Sequence, residues 1–356
     1  MSKSILHING VPLSIGKIPI CLDYTIPVPP PDYGPLLLQF ITDDVGEESF
    51  SPEIIPLSGT LWWDLGDGSI VFTNSFVDDH HIYQNTGNKT VKVYAGTTDG
   101  SDAITDILMS EQDIVGILDI SSLTSLNNLY LDDNLSLTTI KNPKSSVLWS
   151  NYSISFCDLT GTLDVSGLSG LGGIFYVRQN RNLNYALFPY STQYFRDFYM
   201  DDCNLFTLDL SGLVNLGSNL TGQSGRFILS GNNNLQQLKL PTTLNANFYL
   251  VNCTSCSLDT QSIDELLTKF YNRWNNVLPT YHGNIFISQN LNSPPTDGSS
   301  NENISKIKNI FDNSTAWDVS ILINYGPTEL LKFDGSVFLK SNTSLAPPSA
   351  SDYRIS

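Results

Sequence analysis

The sequence predicts a mainly β protein in which a small all-β domain leads into a repetitive parallel β solenoid with an α/β cap. Three observations predict it. The phrase Leu-Asp-x-Ser begins at Leu118, Leu163 and Leu208, a step of 45 residues each time, and each copy continues into spaced leucines at Leu123 and Leu126, Leu168 and Leu171, and Leu213 and Leu216. A fixed period of this length marks a solenoid, a propeller or a tandem array. Between the phrases runs a second one: Leu129-x-Leu131 leads to Asn134, Leu137, Ile140 and Pro143, Val177 leads to Asn180, Leu183 and Pro189, and Leu229 leads to Asn232, Leu235, Leu238 and Pro241. The 45-residue unit is therefore two repeats of roughly 22 to 23 residues, each holding one short apolar strand. From Asp259 the period changes, with apolar residues at Ile263, Leu266, Leu267 and Phe270 in the i, i+3, i+4, i+7 spacing of an amphipathic helix.

The repeat strands are expected near Ile107, Tyr130, Ser155, Tyr176, Tyr199, Ile228, Tyr249 and Phe286, with those from 130 to 249 forming one parallel sheet in sequential order. The run Leu126-x-x-Leu129-x-Leu131-x-x-Asn134-x-x-Leu137 resembles the leucine-rich repeat. That resemblance implies a solenoid over residues 103–258 in which each repeat hides its apolar side against its neighbours. A buried turn after each strand leaves backbone groups in need of partners, and an asparagine amide both donates and accepts. In alternate repeats Cys203 and Cys253 take the asparagine position, with Cys157 one residue away; a small buried thiol is a workable substitute.

Taken in order, residues 1–34 form a Pro-rich arm ending in Ile26-Pro-Val-Pro-Pro-Pro31, which reads as extended and semi-rigid. Residues 35–97 carry alternating apolar runs and turn residues. Trp62-Trp63-Asp64-Leu65-Gly66-Asp67-Gly68, then His81-Ile-Tyr83, then Val91-Lys-Val93 resemble the PKD-type immunoglobulin-like sandwich, which implies a core tryptophan and a tight Gly-Asp-Gly turn. Such domains usually act as spacers. Asp78-Asp79-His80-His81 reads as a polar loop rather than a metal site, because neighbouring residues of an extended segment face opposite sides. Residues 259–325 read as an α/β cap of helix 259–274, strand 283–287, helix 303–311 and strand 317–323, covering the apolar end of the solenoid. Residues 326–356 read as a hairpin around Asp334-Gly335 and a Ser/Pro-rich tail.

With 15% charged residues and a net charge of −17, the chain lacks the basic footprint of a nucleic-acid or anionic-membrane binder. No apolar run reaches the length of a transmembrane helix, and residues 1–10 show no secretory signal pattern. The cysteines Cys21, Cys157, Cys203, Cys253 and Cys256 are odd in number and four of them fall on the repeats, so free buried thiols are expected. Neither histidine spacing nor a phosphate loop predicts catalysis, a metal or a cofactor. The pairs Asp132-Asp133 and Asp201-Asp202 follow strands at matching positions and read as a solvated acidic rim. The candidate partner-binding residues are Tyr130, Tyr176, Tyr199 and Tyr249. Each stands between two apolar neighbours, so alternation directs it outward, with Ile228 filling the same row. Arm, spacer, repeat module and docking-like tail together resemble the layout of bacteriophage virion appendages. That resemblance implies a non-enzymatic head fibre, decoration or tail-appendage protein, oligomeric in the particle, bound to other virion proteins through residues 1–34 and 326–356, with a host-surface protein or glycan as a further partner. A bacterial cell-surface leucine-rich-repeat adhesin is the alternative.

Overall fold

The computed structural model describes residues 6–8, 11–13, 33–43, 50–57, 59–73, 81–96, 104–144, 150–168, 173–216, 225–242, 248–274, 284–286, 320–326, 329–333 and 338–341. The protein is mainly β, and its repeats build a β solenoid. A 12-stranded sheet runs along it. The strands Ile104–Leu108, Asn128–Tyr130, Asn151–Ser153, Ile174–Tyr176, Asp197–Tyr199, Gly225–Ile228, Phe248–Asn252, Asn284–Phe286 and Ser320–Gly326 lie side by side in sequential order, all parallel. The expected parallel order therefore holds. The strand placed near Ser155 lies slightly earlier, at Asn151–Ser153. One end of the sheet is closed by the antiparallel strand Glu53–Pro56, and the other by the antiparallel hairpin Glu329–Phe333 and Phe338–Ser341. The turn between those last two strands, like the predicted helix 303–311, lies outside the described residues.

The strands stack because period-two alternation sends one row of side chains inward at every rung. Just before the end of each strand that row reads Ile107, Leu129, Tyr152, Phe175, Phe198, Phe227 and Val251, all buried. Its aromatic members stack as a ladder: Tyr152 on Phe175 at 5.3 Å and 12°, Phe175 on Phe198 at 5.2 Å and 16°, and Phe198 on Phe227 at 5.4 Å and 27°. Offset stacking at these separations adds to the burial itself.

After each strand the chain turns inward through one left-handed residue. Glu111, Asp133, Phe156, Gln179, Asp202, Gly231 and Ser255 all have φ between 52° and 77° and each stands three residues past its strand. The residue after it forms a column that reads Gln112, Asn134, Cys157, Asn180, Cys203, Asn232 and Cys256, buried from Asn134 onward. Asn134 donates from Nδ2 to the carbonyls of Met109 and Leu131, both at 2.8 Å, and accepts at Oδ1 from the Ile114 N–H at 2.9 Å. Asn180 donates to the Ile154 carbonyl at 2.8 Å, and Asn232 to the Met200 carbonyl at 2.7 Å. The thiols repeat that donation: Cys157 to Leu131 at 3.3 Å, Cys203 to Val177 at 3.1 Å and Cys256 to Leu229 at 3.2 Å. This corrects the sequence assignment in two places. Cys157 is in the column rather than beside it, because its strand ends at Ser153. Cys256, not Cys253, is the last member, because the final rung extends to Asn252 and Cys253 joins the inward row.

On the opposite side the Leu-Asp-x-Ser phrase forms a second layer. Asp119, Asp164 and Asp209 each accept from the N–H and hydroxyl of the serine two residues on, at Ser121, Ser166 and Ser211. The leucines on either side point into the core. These Asp-x-Ser turns are why the phrase is repeated. The layer's strands pair two by two and parallel: Gly116–Asp119 with Leu137–Lys141, Thr160–Asp164 with Asn182–Leu187, and Thr207–Asp209 with Gln237–Lys239. The helix Thr260–Trp274 starts from the Asp259 side chain, whose Oδ1 accepts the Ser262 N–H at 2.8 Å. Ser262 and Glu265 then accept the N–H groups of Leu238 and Leu240 at the layer's last strand, while Ile263, Leu266 and Leu267 are fully buried.

Within residues 35–97 a four-stranded antiparallel sheet forms in the order Leu36–Thr42, Lys89–Ala95, Leu61–Asp64, Ile70–Thr73. Trp63 is fully buried. Tyr83 donates its hydroxyl to the Leu65 carbonyl at 3.0 Å, and Gly66 takes φ of 80° where a Cβ would meet the Thr90 backbone. This sheet and the solenoid share one apolar core. Besides the Glu53–Pro56 strand, the Val115 N–H donates to the Ile41 carbonyl and the Thr42 hydroxyl to the Gln112 carbonyl, both at 2.8 Å. Residues 78–80 lie outside the described residues, and His81 hydrogen-bonds Asp67 at 2.8 Å. The N-terminal strands Leu6–Ile8 and Val11–Leu13 form an antiparallel pair.

Candidate functional site

Two surfaces of the solenoid carry side chains beyond what folding requires. The first is the outer face of the long sheet. The row expected to hold tyrosines reads Glu53, Leu108, Tyr130, Ser153, Tyr176, Tyr199, Ile228 and Asn252 by strand register. Tyr130 and Tyr176 are half-buried, and the buried Ser153 lies between them in the row. Tyr199 is 1% exposed, so it does not continue an open tyrosine face. Its ring meets Tyr176 edge-on at 4.5 Å, its hydroxyl accepts from Arg226 Nη1 at 3.0 Å, and the Arg178 guanidinium lies 5.6 Å from its centre. Tyr199, Ile228 and Leu250 form a small buried cluster of their own. Tyr249 falls out of the row altogether. A bulge between Gly225 and Arg226 skips it, and Asn252 stands beside Ile228 instead. The four tyrosines are thus not one exposed ladder.

Charges on this face divide by rung. Near Tyr130, Asp106 and Asp132 accept only from neutral donors among the described residues: Asn128 and Thr105 for Asp106, Ser153 and the Ser155 N–H for Asp132. Burial, then Asp132 and Asp106, push the Tyr130 hydroxyl above its ordinary range. Further along, Arg178 makes a two-pronged pair with Asp201 at 2.9 to 3.1 Å, with both side chains nearly buried. Burial raises the Asp201 carboxyl even though Arg178 opposes the shift. The expected acidic rim is therefore divided: Asp133 and Asp202 are its more open members, Asp132 binds the turn below, and Asp201 is an internal ion-pair partner.

The second surface was not anticipated. On the opposite layer Tyr185 and Leu187 point outward from one strand at 44% and 50% exposure, and Tyr190 is 93% exposed, with Val214 close in sequence to the turn it touches. Tyr185 meets Phe206 at 5.8 Å. Tyr190 ring carbons lie against the place a Cβ of Gly212 would occupy. Tyr-x-Leu outward alternation in Asn182–Leu187 was the available signal, but the register of this layer is set by the Asp-x-Ser turns and was not read as strand. One rung pair earlier, the same layer opens a cavity of about 460 Å³ lined by Asp119, Ser121, Lys141, Lys144, Asp164 and Gly167 among others.

Among the described residues no group of three or more His, Cys, Asp or Glu side chains is placed to hold a metal ion, and no helix is long and apolar enough to cross a membrane. Cys157, Cys203, Cys253 and Cys256 are free thiols. The chain matches no protein-family model, no curated protein and no solved structure.

Proposed function

We propose that this chain is a non-enzymatic structural and interaction protein of a bacteriophage virion: a head fibre, decoration or tail appendage whose solenoid binds protein or the host surface. The observation that carries this reading is the group of exposed aromatic and aliphatic side chains Tyr185, Leu187 and Tyr190, within six residues of one another on the outer layer of the solenoid. Contiguous apolar side chains left in water on a soluble protein mark an interaction surface. The layout agrees with the placement in a particle. Residues 35–97 are read as a PKD-like sandwich, supported by buried Trp63 and the Gly66 turn. Residues 259–325 are read as a cap, supported by the contacts of Ser262 and Glu265 with the last outer strand. Residues 1–34 and 326–356 are read as docking segments.

The test is location. Gradient-purified phage particles and the envelope fraction of uninfected host cells are analysed by quantitative mass spectrometry for this chain. The expected result is a fixed ratio to the major capsid protein across the particle peak. Recovery from the envelope of uninfected cells alone replaces this reading with the surface adhesin. Truncation of residues 1–34 is expected to leave the solenoid folded and to abolish incorporation.

A further inference from the structure

The outer layer of the solenoid is discontinuous. Leu137–Lys141 and Thr160–Asp164 each pair with a different neighbour and share no ladder with each other. Asn142 spans the gap at its base, donating from Nδ2 to the Asp164 carbonyl at 3.0 Å and accepting the Tyr152 hydroxyl at 3.2 Å. Above it opens the 460 Å³ cavity. We propose that this cavity binds a pyranose unit of a glycan, with a neighbouring unit of the same glycan stacked on Tyr190. The inference deepens the host-surface binding proposed above and rests on it.

The lining supports a hydroxyl-rich, uncharged ligand. Two carboxylates and two ammonium groups, Asp119, Asp164, Lys141 and Lys144, balance to no net charge. Lys141 pairs with Asp119 at 2.9 Å. Lys144 pairs with no carboxylate among the described residues, and Asp164, which lines the cavity, uses only Oδ1 for its turn. A sugar hydroxyl both donates and accepts, so vicinal hydroxyls can give to Asp164 and receive from Lys144. Ile140 and Pro143 supply an apolar wall.

The 45-residue repeat supplies the second contact. Gly167 lies so close to the Pro143–Lys144 backbone that a Cβ would clash, and Gly212 lies at the matching place, where a Cβ would sit tightly against the Pro189 carbonyl and the Tyr190 ring. Tyr190 thus stands where Lys144 stands one unit earlier, two rungs or about 9.6 Å along the rod. Its ring face engages no other ring among the described residues and is 93% exposed. An aromatic face with a polar tip suits the apolar side of a pyranose. The ligand is therefore an extended glycan running along the solenoid axis.

The full chain is screened on a printed array of defined oligosaccharides, and the strongest binder is titrated by calorimetry. Tyr190→Ser and Lys144→Ala are each expected to weaken binding about tenfold or more with an unchanged melting temperature, since both side chains are exposed. Tyr130→Ser, on the opposite face, is expected to leave affinity unchanged. An array without a binder, or a binder unmoved by either variant, overturns the proposal. A response to only one of the two overturns the two-unit footprint, and loss through Tyr130→Ser alone moves the site to the other face. A chain that co-purifies with particles yet binds no array sugar sinks the glycan site and leaves the virion reading standing.

Discussion

Asn180 and Cys203 occupy equivalent positions on neighbouring rungs and do the same job with different strength. Asn180 makes three bonds to buried backbone, through Ile154, Arg178 and Leu159, whereas Cys203 makes one good contact, to Val177. Each buried backbone group left without a partner costs about 1–3 kcal/mol. Asn180→Ala is therefore expected to lower unfolding free energy by about 3 kcal/mol or more, and Cys203→Ala by about 1–2 kcal/mol, measured by urea titration. The thiols also report on pH. Burial pushes Cys157 and Cys256 up to about 12 and raises Cys203 and Cys253 as well. A folded-state value above the unfolded one stabilises fully below the unfolded value, near 8.5, and the contribution is lost as pH rises past it. Denaturation midpoints are thus expected to fall between pH 9 and 11. At pH 8 these four thiols are expected to stay unreactive toward a disulfide reagent until the protein is unfolded; rapid labelling of the native chain at Cys203 contradicts that. The asparagine column was legible because Asn134, Asn180 and Asn232 keep a fixed offset from an apolar strand. Cys256 was not, because Cys253 stands as close to an apolar run and only the length of the last strand decides between them. Tyr249 misled for a related reason: the bulge at Gly225–Arg226 is a backbone event with no residue signature in the strand that follows.

Among the elements, the turn after each strand carries the most constraint. Six of its seven left-handed residues are not glycine, and such a conformation costs a side-chain-bearing residue roughly 1–2 kcal/mol. The turn persists because its N–H groups bond to the next rung, Glu111 to Asp132, Asp133 to Ser155, Phe156 to Arg178 and Gln179 to Asp201. Gly231 is the exception, and a Cβ there would run into the Asp202 carboxylate. Gly231→Ala is expected to cost about 2 kcal/mol, from the backbone penalty plus displacement of Asp202. The turn also holds the Arg178–Asp201 pair. Arg178→Ala leaves a nearly buried carboxylate alone and is expected to cost about 3–5 kcal/mol at pH 7. Because burial already raises Asp201 and the arginine no longer opposes it, part of that loss is expected to return on acidification, as the carboxyl takes up its proton more readily folded than unfolded. A loss that stays constant from pH 7 to pH 4 argues against a charge origin. The Leu-Asp-x-Ser phrase revealed the period but not its own structure, since an Asp-x-Ser turn followed by one leucine every few residues fits loop and strand alike.

For the whole molecule, the decisive feature is that the segment 35–97 and the repeats are built into each other. Glu53–Pro56 pairs along Ile104–Leu108, and Ile54 and Ile107 are both fully buried at that junction. The sequence marks residues 35–97 only as a small all-β domain ahead of the repeats, since neither the crossing strand nor the Thr42 contact with Gln112 leaves a local pattern. An unpaired edge on a stack of parallel strands is a template for aggregation. Deletion of residues 33–97 is expected to give oligomers or precipitate on size-exclusion chromatography, where the full chain elutes as one sharp species; a soluble, monomeric repeat fragment contradicts that. The alternation in the buried column has a further consequence for how such a rod can change. From Asn134 to Cys256 amide and thiol take turns along it, and the outer layer joins its strands two by two, so these rungs come in odd and even kinds. Duplicating a single rung would place two like members side by side and leave an outer strand without its mate. Duplicating a pair preserves both patterns. The length of this solenoid therefore obeys a parity rule: lineages that lengthen or shorten it are expected to do so in steps of 45 residues, never 22.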